Sequence, residues 1–319
     1  MHMNRGLVFW GVALVTAGVV ALAVQQGYLD RDALAGAWRL WPVILIALGV
    51  SIVLSRTPFA VLGTIATALV LGVAGGALVT VGPGIASCGG PEPTDMTTRA
   101  GTFSIGAASV DLHFNCGTLT VGMTDGDGWS VAAGQRGGED ARVEATGSSL
   151  TVKSADRSFV GGGEQRWEVT LGSKLTYSLS IDVNAADAEL ELAGGTFSAL
   201  SLDPNAGSMA LDLAGASVDE LGLSLNAGSA SVSVDTESAV AGRLGLNAGS
   251  IELCAAPGTA LRLVVQDNIT FSHNLDDSGL IRSGKTWATD GFDAASRTVD
   301  LQLEGNAASF TLNPEDGCT

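Results

Sequence analysis

The chain has 319 residues with 33 acidic and 16 basic side chains, which gives a formal net charge of −17 at pH 7. Four basic and two acidic residues precede residue 82, so the rest of the chain holds 12 basic and 31 acidic residues, a net charge of −19. A domain of that sign repels phosphate groups, which excludes nucleic acid as a partner. The acidity itself favours solubility and does not specify a fold.

Three apolar segments precede residue 82 and predict a membrane module over residues 1–81. Residues 6–24 and 58–81 carry no charge and reach the roughly 17–25 residues that a membrane-spanning helix needs. The second segment, residues 38–54, is shorter in its apolar part, but it begins with Trp38-Arg39 and Trp41-Pro42, which are typical of an interfacial anchor. We therefore expect three transmembrane helices at about 6–24, 38–54 and 58–81.

The few charges of this module predict its orientation. Arg5 precedes the first span and Arg56 lies between the second and third, so the positive-inside rule places the N-terminus inside. Residues 82–97 would then form a linker, and residues 98–319 an extracytoplasmic domain. The third span contains Gly72 and Gly76, a Gly-x-x-x-Gly pair that permits close packing of helices.

All four cysteines follow the last predicted span. Cys88, Cys116, Cys254 and Cys318 are an even set on the presumed outer side, which predicts two disulfides in an oxidising compartment. We expect the pairs Cys88–Cys116 and Cys254–Cys318, because each pair brackets one end of the outer domain. An alternative for Cys88 is lipidation, since residues 85–89 read Ile-Ala-Ser-Cys-Gly and match a lipoprotein cleavage box.

The outer domain contains a repeat of 21 residues. An Asn-Ala-Gly-Ser motif or its variant recurs from residue 184 to residue 250, and apolar residues alternate on both sides of it, as in Leu223/Leu225 and Val232/Val234. Period-2 alternation predicts short half-buried strands, and Asn and Gly favour a turn between them because both tolerate positive φ. The residues predicted to form these turns are Asn184, Asn205, Gly207, Asn226, Gly228, Asn247, Gly249 and Asn306.

Less regular copies occur at residues 115–118 and 306–309, and residues 147–149 (Gly-Ser-Ser) are a further candidate. A repeat that cannot bury its own apolar face must stack on its neighbours, which predicts an all-β repeat domain, a β-solenoid or a rack of stacked hairpins. We expect the irregular copies to cap the stack and to protect its sheet edges. The repeated Asn and Ser could instead form a ladder that binds a ligand, but a structural role at the bends is the preferred interpretation.

No pattern of catalytic or metal-binding residues stands out. Residues 125–128 (Asp-Gly-Asp-Gly) resemble part of a calcium loop without its downstream Glu. The three histidines lie apart from any nucleophile motif, and no Cys-x-x-Cys pair supports zinc. Between Lys174 and Arg243 there are acidic residues and no basic ones, which predicts a solvated anionic face, with residues such as Glu191 and Asp212 pointing outward. We expect no catalytic residues, no metal and no cofactor.

The N-terminal segments resemble the membrane region of LiaI/LiaF-type bacterial envelope proteins. The resemblance rests on residues 5–11 (Arg-Gly-Leu-Val-Phe-Trp-Gly) and on residues 38–49, where Trp-Pro is followed by an apolar run that ends in Leu-Gly. The recurring Asn-Ala-Gly-Ser motif between Leu-x-Leu strands is similar to that of toastrack, or adhesin-like, β-domains. This resemblance implies a non-enzymatic protein that senses or regulates cell-envelope stress beside a two-component system.

Two functions therefore remain as expectations. One is a multi-pass cell-membrane regulator that acts through protein partners, such as a membrane-bound sensor kinase or another envelope protein, with the lipid bilayer as its surroundings. The other is a surface structural or adhesin-like protein whose β-domain binds an external ligand. Self-association of the chain is left open by both.

Overall fold

A computed structural model describes residues 15–16, 93, 95–104, 106–135, 141–154, 165–266 and 271–314. The chain divides into two compact units, Met1–Ser87 and Cys88–Thr319. Apart from the helical residues Val15 and Thr16, the predicted spans with Gly72 and Gly76 lie outside the described residues. Within the described part of the chain, no helix has the length and hydrophobicity needed to cross a membrane.

The second unit consists almost entirely of strands. Two short 3-10 helices, Leu275–Asp277 and Phe292–Ala294, are the exceptions among its described elements. The strands in chain order are β1 Thr97–Thr102, β2 Ala107–Thr124, β3 Gly128–Gln135, β4 Arg142–Ala145, β5 Ser149–Lys153, β6 Gln165–Gly172, β7 Thr176–Glu191, β8 Thr196–Asp212, β9 Ser217–Val234, β10 Ala239–Ala255, β11 Leu261–Gln266, β12 Phe271–His273, β13 Ile281–Ser283, β14 Thr286–Ala288 and β15 Val299–Leu312.

The repeats form a parallel stack in which each coil lies directly on the next. The strands β7, β8, β9 and β10 are parallel neighbours in sequence order, and equivalent residues of successive repeats pair with each other. Leu202, Leu223 and Leu244, for example, occupy one column across three coils. The 21-residue period of the sequence is therefore the length of one coil.

Alternating apolar residues place the core inside each coil. In β9 the residues Leu221, Leu223 and Leu225 are buried, residues 226–229 are largely exposed, and burial resumes with Ala230, Val232 and Val234. The buried phase thus shifts by one residue across the Asn-Ala-Gly-Ser segment, so that the apolar side chains on both sides of it face one continuous core. The predicted half-buried strands and their apolar core positions are confirmed.

Two coils of the stack are formed by strands that are distant in the sequence. Strand β2 lies beside β7 although 69 residues separate the paired Cys116 and Ala185, and β15 lies beside β10 with Ala248 opposite Ala307. Strand β15 is also parallel to β11 and therefore inserts between β10 and β11. The irregular copies at Asn115 and Asn306 are thus coils of the same stack, in the same register.

The outermost strands at both ends of the stack are antiparallel additions, not copies of the repeat. Strand β3 is antiparallel to β6 and to β1, β4 is antiparallel to β5, and β14 is antiparallel to β11 and β13. The expectation that the irregular copies cap the stack is wrong in this respect. Residues 147–149 are also not a repeat copy, because they belong to the turn of the β4–β5 hairpin, where the Thr146 N–H bonds the Ser149 carbonyl at 2.8 Å.

Aromatic side chains fill the core at the N-terminal end of the stack. Phe114 and Trp167 meet edge to face with their ring centroids 4.9 Å apart, and Tyr177 lies between Phe103 and Phe197. The Tyr177 hydroxyl donates to the Gly172 carbonyl at 2.8 Å. Burial raises the pKa of Tyr177 to about 12, so this phenol stays protonated as a donor inside the core.

Candidate functional site: an asparagine ladder and two outer faces

A ladder of asparagine side chains runs across the parallel stack from β2 to β15. After the first member, each Nδ2 group donates to the Oδ1 atom of the preceding coil, over distances between 2.7 and 3.0 Å. The ladder crosses six coils and includes both irregular copies. Its members, in the order of the stack, are Asn115, Asn184, Asn205, Asn226, Asn247 and Asn306.

The predicted turns at these positions are corners within continuous strands. Strands β7 to β10 each run through the Asn-Ala-Gly-Ser segment or its variant without interruption, and among the described residues the two halves of a coil do not pair with each other. The prediction of a turn between two separate strands is therefore corrected to a bend inside one long strand. The chain turns to the next coil elsewhere, for example at Gly194 and Gly215, both with positive φ.

Close stacking at the corner uses glycine in most coils, whereas Ala186 and Ala308 occupy the same column without a positive φ. Gly207, Gly228 and Gly249 have φ values of 121°, 128° and 132°, which side chains rarely adopt. A Cβ atom on Gly228 would lie 2.0 Å from the carbonyl oxygen of Gly207 in the coil beneath. The ladder and the corner glycines therefore have complementary roles. The asparagine amides hold the coils in register, and the glycines, which have no side chain, let the backbones of successive coils approach closely.

The corner divides the surface of the stack into two outer faces. The face after the corner is rich in hydroxyl groups, with Ser208, Ser229 and Ser250 in one column beside Asp187. The Ser208 hydroxyl bonds the Asp187 carboxylate at 2.5 Å. Glu191 on this face is exposed and Asp212 partly exposed, so carboxylates do lie on an outer face, as predicted.

The face before the corner carries a shallow trough of about 590 Å³. Its floor is low because Gly222 and Ala241 lie between longer side chains, and its walls include Glu220, Arg243 and Arg262. Arg262 is paired with Asp300 on the neighbouring strand and lies 4.5 Å from the ring of Phe292. The hydrogen bonds that Arg262 donates to the Asp300 carboxylate raise the pKa of Arg262 and occupy two of its donor groups.

Asp235 fastens the turn between β9 and β10 to the coil beneath. Its Oδ1 atom accepts hydrogen bonds from the N–H of Gly215 at 2.9 Å and from the N–H of Glu237 at 3.0 Å. The buried Ser238 hydroxyl lies 2.9 Å from the same oxygen and 2.8 Å from the Leu213 carbonyl. These donors, the Gly215 amide first, lower the pKa of Asp235, so the turn is stabilised by the ionised carboxylate.

Two of the four cysteines are described, and neither is a free thiol. Cys116 follows the first ladder asparagine, and Cys254 lies near the end of β10. Beside Cys254 the C-terminal segment is held by the Asn313 N–H, which bonds the Leu253 carbonyl at 2.9 Å. Cys88 and Cys318 lie outside the described residues, so the pairs Cys88–Cys116 and Cys254–Cys318 stay predictions.

The weaker candidates of the sequence occupy ordinary structural positions. Residues 125–128 form the turn between β2 and β3, where the Asp127 carbonyl accepts from the Phe103 N–H. His113 pairs with Asp182 at 2.7 Å on the outer surface. Across the described ranges, no group of three or more His, Cys, Asp or Glu side chains has an arrangement that could hold a metal ion.

Sequence reasoning named the ladder asparagines only as turn residues and missed their mutual hydrogen bonds. The 21-residue spacing was the available signal, because identical amides that stack in register must meet across adjacent coils. The hydrogen bonds of Asp235 and Ser238 in the turn between β9 and β10 were not predicted from the sequence either. The Asp-x-x-Ser spacing, in which a side chain bonds backbone N–H groups two and three residues later, is a turn pattern that could have identified them.

Two family models match the chain, one within the membrane module predicted from the sequence and one within the β-domain. Residues 8–53 match the LiaI-LiaF-like transmembrane region, and residues 95–235 match the N-terminal domain of toast_rack. These two matches confirm the resemblance inferred from the sequence. The first match indicates association with a membrane, and both matched families are of non-catalytic kinds.

Two solved structures show a distant likeness. A "putative cell adhesion protein" from Clostridium sporogenes is 10% identical with a TM-score of 0.45, and the alignment covers 68% of this chain and 99% of that one. A "putative adhesin" from Bacteroides fragilis is 11% identical with a TM-score of 0.23, covering 70% of this chain and all of that one. Neither likeness is close enough to indicate a function. No curated protein matches the chain significantly.

Proposed function

We propose that the protein is a multi-pass, non-enzymatic component of the bacterial cell membrane that senses or regulates envelope stress through protein partners. The observation that carries the proposal is the union, in one chain, of a LiaI-LiaF-like membrane region at residues 8–53 and a toast_rack domain that begins near residue 95. In this proposal three spans cross the membrane and the β-domain lies outside the cytoplasm.

The β-domain is built to present surfaces. Its interior is an apolar core, and its two outer faces are extended, shallow and polar. An enzyme of this size usually places its reacting groups in a concave pocket that excludes water. Open faces of this kind are suited to contact with another protein, which supports a role in binding.

The contacts between coils also favour a stack that is rigid along its length. The ladder bonds of one coil are shared with the coils on both sides, and each corner glycine lies against the carbonyl of the coil beneath. A binding event on one face would therefore act on a rigid body joined to the membrane segments. Helix packing through Gly72 and Gly76 would provide the contact with a membrane partner.

Deletion of residues 98–319, with the membrane segments retained, tests the proposal. We expect the strain to lose its transcriptional response to envelope-active agents while the truncated chain is still found in the membrane fraction. The matched control is the full-length chain, expressed at the same level as the truncated one.

A normal response in the deletion strain would contradict the regulatory role. If that strain also lost attachment to surfaces, the adhesin-like alternative would replace the proposal. Cysteine labelling with a membrane-impermeant reagent, after reduction, tests the orientation separately. Cys254 is buried, so the label is placed at the exposed Ile281 as Ile281→Cys. Labelling of this residue in intact cells is expected, and labelling only in lysed cells would place the β-domain inside.

A further inference from the structure

The stack ends in strands that differ in how well they are protected from pairing with another chain. Among the described residues β1 pairs only with β3, and its six residues are almost all exposed. By contrast β4 has four residues with a charge at Arg142 and at Glu144, and β13 has three residues. Short length and charged side chains keep sheet edges from pairing, and β1 is the longest of these three strands, with one charge among its six residues.

The backbone groups of β1 that face outward can be identified. The N–H of Phe103, the residue after β1, bonds the Asp127 carbonyl on the β3 side. Because N–H directions alternate along a strand, residues 97, 99 and 101 also point toward β3. The N–H and C=O groups of Thr98, Ala100 and Thr102 therefore point away from the sheet.

The only charged side chain of β1 does not guard this edge. Arg99 lies opposite the buried Val131, so its side chain is directed to the core side of the sheet. From there its Nη1 atom donates to the Val143 carbonyl of β4 at 3.3 Å. The residues whose backbone groups lie at the free edge, Thr98, Ala100 and Thr102, have small and uncharged side chains.

We propose that β1 pairs antiparallel with β1 of a second copy of this chain, with Ala100 opposite Ala100. In this register Thr98 faces Thr102 of the other copy, and the three outward N–H and three outward C=O groups of each strand are all satisfied, which gives six hydrogen bonds between the two strands. Arg99 faces Gly101 of the other copy, so no like charges meet. The register is symmetric, as a two-fold dimer interface requires.

The charge distribution favours a second copy at this end of the stack. The domain as a whole is strongly acidic, so two copies repel each other over most of their surface. Strands β1 and β4 carry two basic residues and one acidic residue, whereas β7 to β10 carry nine acidic residues and one basic residue. Asp95 and Asp127 flank β1 and β3, so this end of the stack is less acidic than the repeats, not basic. Six backbone hydrogen bonds are a modest attraction in water, and confinement of both copies to one membrane raises their effective concentration.

Cysteine cross-linking of the full chain in membranes tests the pairing. We expect oxidised Ala100→Cys protein to migrate as a dimer on a non-reducing gel, because paired antiparallel residues lie within the distance of about 7 Å that a disulfide allows. The control is Ile281→Cys on β13, which is 59% exposed at the other end of the stack. Its dimer fraction should be lower by about tenfold or more, since nothing holds two copies together there.

The register is tested by co-expression of Thr98→Cys and Thr102→Cys chains with different tags. The mixed dimer should form, while each variant alone should give little. Adding Ala100→Pro to both chains should abolish the mixed dimer, because it removes an outward N–H without breaking a bond to β3. Equal cross-linking of Ala100→Cys and Ile281→Cys, the absence of dimer, or capture of a different protein by Ala100→Cys would overturn the proposal.

Discussion

Asn226 donates a hydrogen bond from Nδ2 to Oδ1 of Asn205 over 2.7 Å. The two residues are 21 positions apart, one full coil, and Asn226 in turn accepts a bond from Asn247 at 2.8 Å. The side chains are exposed, so water competes for each bond and its net value is modest. Repetition along the stack compensates, because every inner member of the ladder is held from both sides.

Asn226→Ala should destabilise the β-domain by about 1–3 kcal/mol, since it removes two hydrogen bonds of roughly 0.5–1.5 kcal/mol each. The free energy of unfolding, measured by urea denaturation, checks this. Ser224→Ala is the control, because Ser224 is exposed on the same strand two residues earlier and lies outside the ladder. Equal effects of the two substitutions would show that the ladder contributes nothing to stability.

The corner glycines allow a sharper comparison of two substitutions on one strand. Gly228→Ala places a Cβ atom 2.0 Å from the Gly207 carbonyl oxygen at a φ of 128°, and should cost about 1–3 kcal/mol or more. Gly222→Ala meets no atom within 4 Å, so it should be neutral or stabilise the fold by about 0.4–1 kcal/mol through the unfolded state. Thermal denaturation of the two variants side by side is the measurement, and a Gly228→Ala variant as stable as Gly222→Ala would contradict this account of the corner.

The sequence predicted the core of the stack better than its connections. The alternation of Leu223/Leu225 and Val232/Val234 identifies inward residues whatever their strands pair with, and all four are buried. Alternation does not say whether the two flanks of Asn226 pair with each other or with neighbouring coils, so a turn and a corner look alike. The insertion of β15 between β10 and β11 could not be predicted either. The Asn306 motif shows that this coil belongs to the stack, but it does not show between which strands the coil lies.

The hydrogen bonds to the Asp235 carboxylate predict that part of the free energy of unfolding depends on pH. Since its folded-state pKa is lowered, the carboxylate contributes its full stabilisation above the unfolded value of about 3.9, and this is lost as the pH falls through the lower folded pKa. Asp235→Asn should therefore be less stable than the unmodified protein at pH 7, and the difference should shrink below about pH 4. Urea denaturation at several pH values measures it. Glu237→Gln, an exposed change in the same turn, is the control; a difference for Asp235→Asn that does not vary with pH would contradict the role of the ionised carboxylate.

We predict that Cys88 is bonded to Cys116 and Cys254 to Cys318. Cys116 and Cys254 cannot bond each other, because they lie on strands four steps of about 4.8 Å apart in the stack, well beyond the 7 Å that a disulfide spans. The C-terminal segment is fastened beside Cys254, where the Ala255 N–H bonds the Asn313 side chain at 2.8 Å. From the last described residue, 314, four more residues reach Cys318, a span of about 14 Å at most, so this cysteine stays within reach of Cys254.

Peptide mapping of the full chain under non-reducing conditions should recover both linked peptides. Cys318→Ser should expose the Cys254 thiol to alkylation and lower the free energy of unfolding by about 2–4 kcal/mol, as expected for the loss of a bond that closes a long loop. Cys88→Ser should do the same for Cys116 and leave Cys254 protected, so each variant is the control for the other. A link from Cys88 to Cys254, or a lipid on Cys88, would refute the assignment, because either leaves Cys116 without the partner predicted for it.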